Sequence, residues 1–167
     1  MLDIDGVLNR GRTDHIALGG PYNEILPEYV LRLEKILEQT DCDVCVCSVW
    51  RGGHTPHQIF DVLSNVGLPG KYKDRFIGST PYSSPHGYER GFQCADWLRA
   101  HPQYDRVVCL DDSSDYGLLK VLLVQTSLWL GVQDWNIHGV ESAFENHKLQ
   151  RTFFKHLLPL MQKAAPS

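Results

Sequence analysis

At 167 residues, 43% hydrophobic and 22% charged, the chain has the length and balance of one soluble globular domain, 1–167, large enough for a real core. Its net charge of −4 supplies no global basic field to draw it onto nucleic acid or an anionic membrane, and apolar runs such as Val121-Leu122-Leu123-Val124 are far too short to span a bilayer. Asp3 follows the first two residues at once, which is not signal-peptide architecture. The five cysteines, with Cys45 and Cys47 alternating with valine, read as small buried hydrophobes in a reducing, cytoplasmic compartment.

Taken in order, the chain begins with Asp3-Ile4-Asp5-Gly6-Val7-Leu8. Pro27 and Glu28 then open a helical pattern in which Leu26, Tyr29, Val30, Leu33, Ile36 and Leu37 share one face. Val44 to Cys47 is a short β-branched run, hence a strand. From His57, the spacing of Ile59, Phe60, Leu63 and Val66 predicts a helix closed by Gly67. Gly78 to Gly87, rich in Ser, Thr and Pro, reads as a loop. Arg90 to His101 reads as a helix stopped by Pro102. Arg106 to Leu110 is a strand ending in Asp111-Asp112, Val121 to Thr126 another, and Thr152 to Lys163 a final amphipathic helix. Strands alternating with helices predict an α/β fold whose mostly parallel sheet lies between helices. Ligands of such sheets bind beyond the carboxyl ends of the strands. Asp3 and Asp5, Ser48, and Asp111-Asp112 each follow an apolar run, so all three groups should converge on one edge.

Two carboxylates two residues apart in extended chain face the same side and repel. A cation between them relieves this, and Mg2+ is the natural one: a hard ion that takes oxygen ligands and shares them with substrate phosphate. Asp111 and Asp112 would add oxygen from the neighbouring strand, giving a metal set of Asp3, Asp5, Asp111 and Asp112. In this reading Asp3 attacks phosphorus, and Asp5 protonates the leaving oxygen and then deprotonates the hydrolytic water. Ser48 and Arg90 bind and neutralise the phosphate, with Arg51 as a further substrate contact.

These pieces occur in a telling order: Asp3-Ile4-Asp5-Gly6-Val7-Leu8-Asn9, Ser48-Val49-Trp50-Arg51, Ile77-Gly78-Ser79-Thr80-Pro81, Arg90-Gly91 with Trp97-Leu98, Leu110-Asp111-Asp112, and Val124-Gln125-Thr126 with Gly131. The set resembles the haloacid dehalogenase (HAD) superfamily of phosphohydrolases, and more narrowly the small HAD domain associated with Swiss Army knife RNA-repair proteins. The resemblance implies a Rossmann-like fold, a Mg2+ cofactor, an aspartyl-phosphate on Asp3, and metal binding by Asp5 through its backbone carbonyl, which frees its carboxylate for proton transfer. It also sets points of departure. Only Met1 and Leu2 precede Asp3, where the family carries a longer first strand. The third-motif cation, often lysine, is matched here by Arg90, with Lys71 or Lys73 as the other candidates.

Other readings compete residue by residue. Ser48 can cap a helix starting near Val49, Asp115 reads as a cap, and Arg51 can serve structure as well as substrate. His54 and His57 lack further ligands at zinc spacing, and Cys42, Cys45 and Cys47 read as core. Cys45 and Arg51 have the spacing of thiolate phosphatases, but the bulky, glycine-free residues between them do not suit a loop that wraps phosphate. The segments after the first and second motifs are too short for a large cap domain. An open site suits a bulky phosphate ester, an RNA or DNA end or a phosphoprotein. Arg10, Arg12, Arg51, Lys71, Lys73 and Arg75 are expected on a basic rim, with Trp50, Tyr72, Tyr82 and Tyr88 as stacking surfaces. The alternatives are a protein tyrosine phosphatase of the same mechanism and a catalytically inactive binding module; no membrane and no obligate protein partner is expected.

Overall fold

The computed structural model describes residues 1–10, 25–87 and 89–161. Helix α1 (Pro27–Thr40) opens with proline at its first position and buries Tyr29, Val30, Leu33, Ile36 and Leu37; it stops at Asp41, whose left-handed backbone (φ 51°) turns its N–H onto the Leu37 carbonyl. Strand β1 (Val44–Val46) leads into one short 3-10 turn, Val49–Gly52, capped by Ser48. Helix α2 (Pro56–Asn65) starts with a reciprocal capping box between Thr55 and Gln58. Strand β2 (Phe76–Ser79), helix α3 (Arg90–Ala100), strands β3 (Cys109–Asp111) and β4 (Leu123–Gln125), and helix α4 (Asp134–Glu145) follow. Helix α5 (His147–Thr152) widens into a π-helical turn at Phe153–Leu157 and closes with Leu158–Leu160.

All strand pairing is parallel. β1 pairs with β2 and β3 with β4, and Leu2 bridges the two pairs through Val46 on one side and Leu110 on the other. The Leu2 N–H donates to the Cys45 carbonyl at 2.9 Å, and the Asp3 N–H donates to the Leu110 carbonyl at 3.0 Å. The order across the sheet is therefore β2, β1, residues 1–3, β3, β4. Alternation along the strands divides the core between two faces. Leu2, Val44, Val46, Val108 and Leu110 pack with α1, α2 and α4; Cys45, Cys47, Val107 and Cys109 pack with α3 and the C-terminal helical segment. The architecture is α/β, with helices on both faces. No helix among the described residues is long and apolar enough to cross a membrane.

Five elements depart from the sequence expectations. Gly78 and Ser79 belong to a strand and not to a loop, because Gly78 leaves room for Trp97, whose Nε1 lies 3.2 Å from where a Cβ would stand. Pairing in β3 begins at Cys109 and not Arg106: Cys109 stands opposite Leu123, the first residue of β4. β4 begins at Leu123 because Gly117–Leu122 winds into a 3-10 turn that buries Leu119 and Leu122. The final helix begins at His147, where the Asn146 side chain accepts the Leu149 N–H, well before Thr152; its expected end at Lys163 lies outside the described residues. Helix α4 was not among the expected elements.

Candidate active site

Asp3, Ser48 and Asp111 each sit where a strand ends, so the parallel sheet delivers all three to its carboxyl edge. Asp3 is only 3% exposed and Asp111 is fully buried. Carboxylate oxygens of Asp3, Asp111 and Asp112 lie within 4.8 Å of one another. Arg90, the first residue of α3, places Nη1 3.1 Å from Asp3 Oδ1 and bonds Asp111 Oδ2 with the same nitrogen. Asp111 is tied further by the Tyr116 hydroxyl, which donates to Oδ2 at 2.6 Å, and by the Ser113 N–H, which donates to Oδ1 at 2.8 Å. The Ser48 side chain is fully buried, accepts the Trp50 N–H at 3.4 Å, and lies near enough to Asp3 to favour its charged form.

Two glycines make this approach possible. At Gly91, a Cβ would stand 2.3 Å from the Tyr116 carbonyl oxygen, so only glycine lets α3 begin against that backbone and deliver Arg90. At Gly6, where φ is +72°, a Cβ would meet the Asp112 carboxyl group at 2.6 Å. The Thr126 hydroxyl holds the Gly6 carbonyl at 2.7 Å and closes the loop.

The electrostatics follow from burial. Removal from water, and then the charge of Asp111, push the Asp3 carboxyl up to about 7 against the pull of Arg90. Asp112 is raised for the same two reasons. Burial works against the Arg90 charge, but Asp3 and Asp111 outweigh it and hold the guanidinium above its ordinary value. Three clustered carboxylates facing one guanidinium leave negative charge for a cation to balance, and their all-oxygen donor set suits a hard divalent ion.

The remaining expected residues are dispersed. The Asp5 carboxylate is not part of the three-carboxylate group; its Oδ1 accepts from Asn9 Nδ2 at 2.8 Å and Trp50 Nε1 at 3.4 Å. Arg51 reaches no carboxylate among the described residues. It donates to the carbonyls of Cys47, Ser48, Thr80 and Pro81 and to Gln93 Oε1, with its guanidinium 4.9 Å from the Tyr82 ring centre, so its donors are taken up in fastening the Ser48 turn. Lys71, Lys73 and Arg75 pair with Glu38, Asp61 and Asp41, and they precede β2. They therefore lie at the amino edge of a parallel sheet, opposite the carboxylates. That removes Lys71 and Lys73 as phosphate cations and removes all three from the expected rim. Tyr72 is buried beside them, and Arg12 and Tyr88 lie outside the described residues. Burial lifts the Cys45 thiol to about 12, which opposes a thiolate nucleophile. Asn9, Tyr116 and Gln93 were given no role from sequence; Asn9 acts on Gly6 and Asp5 within its own motif, Tyr116 on Asp111, and Gln93 on the distant Arg51.

The family model described as the HAD domain in Swiss Army Knife RNA repair proteins matches residues 1–137. No curated protein and no solved structure matches the chain.

Proposed function

Because the chain belongs to the family of HAD domains in Swiss Army Knife RNA repair proteins, we propose that it is a Mg2+-dependent phosphatase that works through an aspartyl-phosphate on Asp3. The observation that carries this reading is the meeting of Asp3, Asp111, Asp112 and Arg90 at the carboxyl edge. The strand order, with helices on both faces, supports calling the sheet Rossmann-like. Mg2+ would be held by Asp3, Asp111 and Asp112 with the Asp5 carbonyl oxygen, and would supply positive charge to the transferring phosphoryl group.

A carboxylate oxygen of Asp3 forms a bond to phosphorus while the bond to the leaving alcohol oxygen breaks. Asp5 gives its proton to that oxygen. Water then attacks the phosphorus of the aspartyl-phosphate, Asp5 takes the water's proton, and inorganic phosphate departs with Asp3 regenerated. Arg90, anchored by Asp111, neutralises phosphoryl oxygen, and the Ser48 hydroxyl donates to another. Arg51 acts by holding the Ser48 turn. Free cysteines support a reducing, cytoplasmic setting.

The substrate is a bulky phosphate ester, a nucleic-acid end before others. The family's name points to RNA repair, and no large cap domain stands among the described residues after Asp5 or Ser48. Tyr82 (62% exposed) beside Arg51, and Trp129 (57% exposed) in the turn after β4, offer faces for base stacking at that edge. The test is hydrolysis of an aryl phosphate, with and without chelator, followed by competition between a phosphorylated oligonucleotide and its mononucleotide at two salt concentrations. Activity should disappear with chelator, return with Mg2+, and be absent in Asp3→Asn; the oligonucleotide should win by a margin that shrinks as salt rises. Full turnover in chelator refutes the mechanism, and a mononucleotide processed better at every salt concentration refutes the nucleic-acid substrate. A phosphotyrosine peptide outperforming both would make the enzyme a protein phosphatase.

A further inference from the structure

Asp5 is held by two donors from different parts of the chain. Asn9 Nδ2 donates to Asp5 Oδ1 at 2.8 Å, and the Trp50 indole N–H reaches the same oxygen at 3.4 Å. Asn9 is fully buried and Trp50 nearly so. The Asn9 amide has a defined orientation, because its own Oδ1 accepts the Gly6 N–H at 2.9 Å and Nδ2 must then face Asp5. Trp50 is fixed in turn: its backbone N–H meets Ser48 Oγ at 3.4 Å and its ring lies against His54, with centroids 5.9 Å apart.

We infer that Asn9 and Trp50 are positioning residues that set the Asp5 carboxyl group for proton transfer. Both donors converge on Oδ1, so that oxygen serves as the acceptor and Oδ2 carries the mobile proton. Rotation about the Cβ–Cγ bond, which would exchange the two oxygens, is opposed by both contacts. A general acid works only within hydrogen-bond reach of the atom it protonates, so this orientation bears directly on rate. Trp50 lies two residues beyond Ser48 in one short turn, so that turn presents a phosphate donor and aims the acid together.

This inference rests on the phosphatase reading, and leaving-group dependence separates the two. An acidic nitrophenol departs without help, whereas an alcohol must be protonated as its bond to phosphorus breaks. kcat/KM, which ends with alcohol release, is measured for p-nitrophenyl phosphate and for a nucleoside monophosphate, with Asp5→Asn as the reference. A general acid contributes about 100–10,000-fold, so Asn9→Ala should lower kcat/KM for the alkyl ester by about 10–100-fold and Trp50→Phe by about 3–10-fold, each with a much smaller loss on the nitrophenyl ester. Trp50→Phe keeps an aromatic ring in the turn while removing the indole N–H, so, once thermal unfolding shows it folded, it decides the matter if Asn9→Ala does not fold. Equal losses on both esters, or no loss on either in a folded variant, overturn the positioning role while Asp5→Asn still discriminates between them. If Asp5→Asn fails to discriminate, the acid assignment and this inference fall together.

Discussion

Replacing Asp3 with Asn should stabilise the metal-free protein, and by an amount that depends on pH. Burial and the neighbouring Asp111 lift the Asp3 carboxyl from its ordinary 3.8 to about 7. The folded state therefore holds the proton over a range in which the unfolded chain has released it. Stability that is intact below the unfolded value is lost as pH rises through the folded one, and the loss is complete above it. Each tenfold difference in proton affinity is worth about 1.4 kcal/mol, so ionised Asp3 costs the metal-free fold on the order of 4 kcal/mol at full extent, of which roughly 2–3 kcal/mol falls between pH 5 and pH 8. Asparagine cannot ionise, and its side-chain oxygen can still accept from Arg90. For a chain of this size, about 2–4 °C accompanies each kcal/mol, so the Tm advantage of Asp3→Asn should be roughly 5–10 °C larger at pH 8 than at pH 5. The assay is thermal unfolding in chelator at both pH values. An advantage of the same size at each pH would refute the assigned cause. Saturating Mg2+ should erase the advantage, because a cation on the carboxylates removes the penalty.

Arg90→Ala should lower turnover by roughly 100–1,000-fold, the range for loss of one charged stabiliser. Arg51→Ala should act mainly on stability, by releasing the carbonyls of Cys47, Ser48 and Thr80, and comparison of kcat with Tm for the pair separates the two roles. Gly91→Ala pushes a Cβ into the Tyr116 carbonyl and should cost about 1–3 kcal/mol by thermal unfolding, with a fall in kcat because the start of α3, and Arg90 with it, must move. A Gly91→Ala protein of unchanged Tm and kcat would mean that the close approach is not needed.

Much of the site was legible along the chain because its signals are local. Proline at the start of α1, and valines alternating with cysteines, each act through a handful of neighbouring residues. In a parallel sheet, residues that end strands must meet at one edge, so the sequence alone groups Asp3, Ser48 and Asp111. Other assignments depended on partners far off in sequence. Arg51 had the spacing of a substrate cation, yet Thr80, Pro81 and Gln93 take up its donors, 29 to 42 positions away. Lys71, Lys73 and Arg75 had the charge of a phosphate rim, but entering β2 rather than leaving it puts them at the wrong end of the sheet. The contact of Gly91 with Tyr116, and the grip of Asn9 and Trp50 on Asp5, arise only once helices pack and turns close. Residue type and local spacing determined which groups could do phosphoryl chemistry; the register of distant strands and the closeness of packed backbones decided which of them are placed to do it.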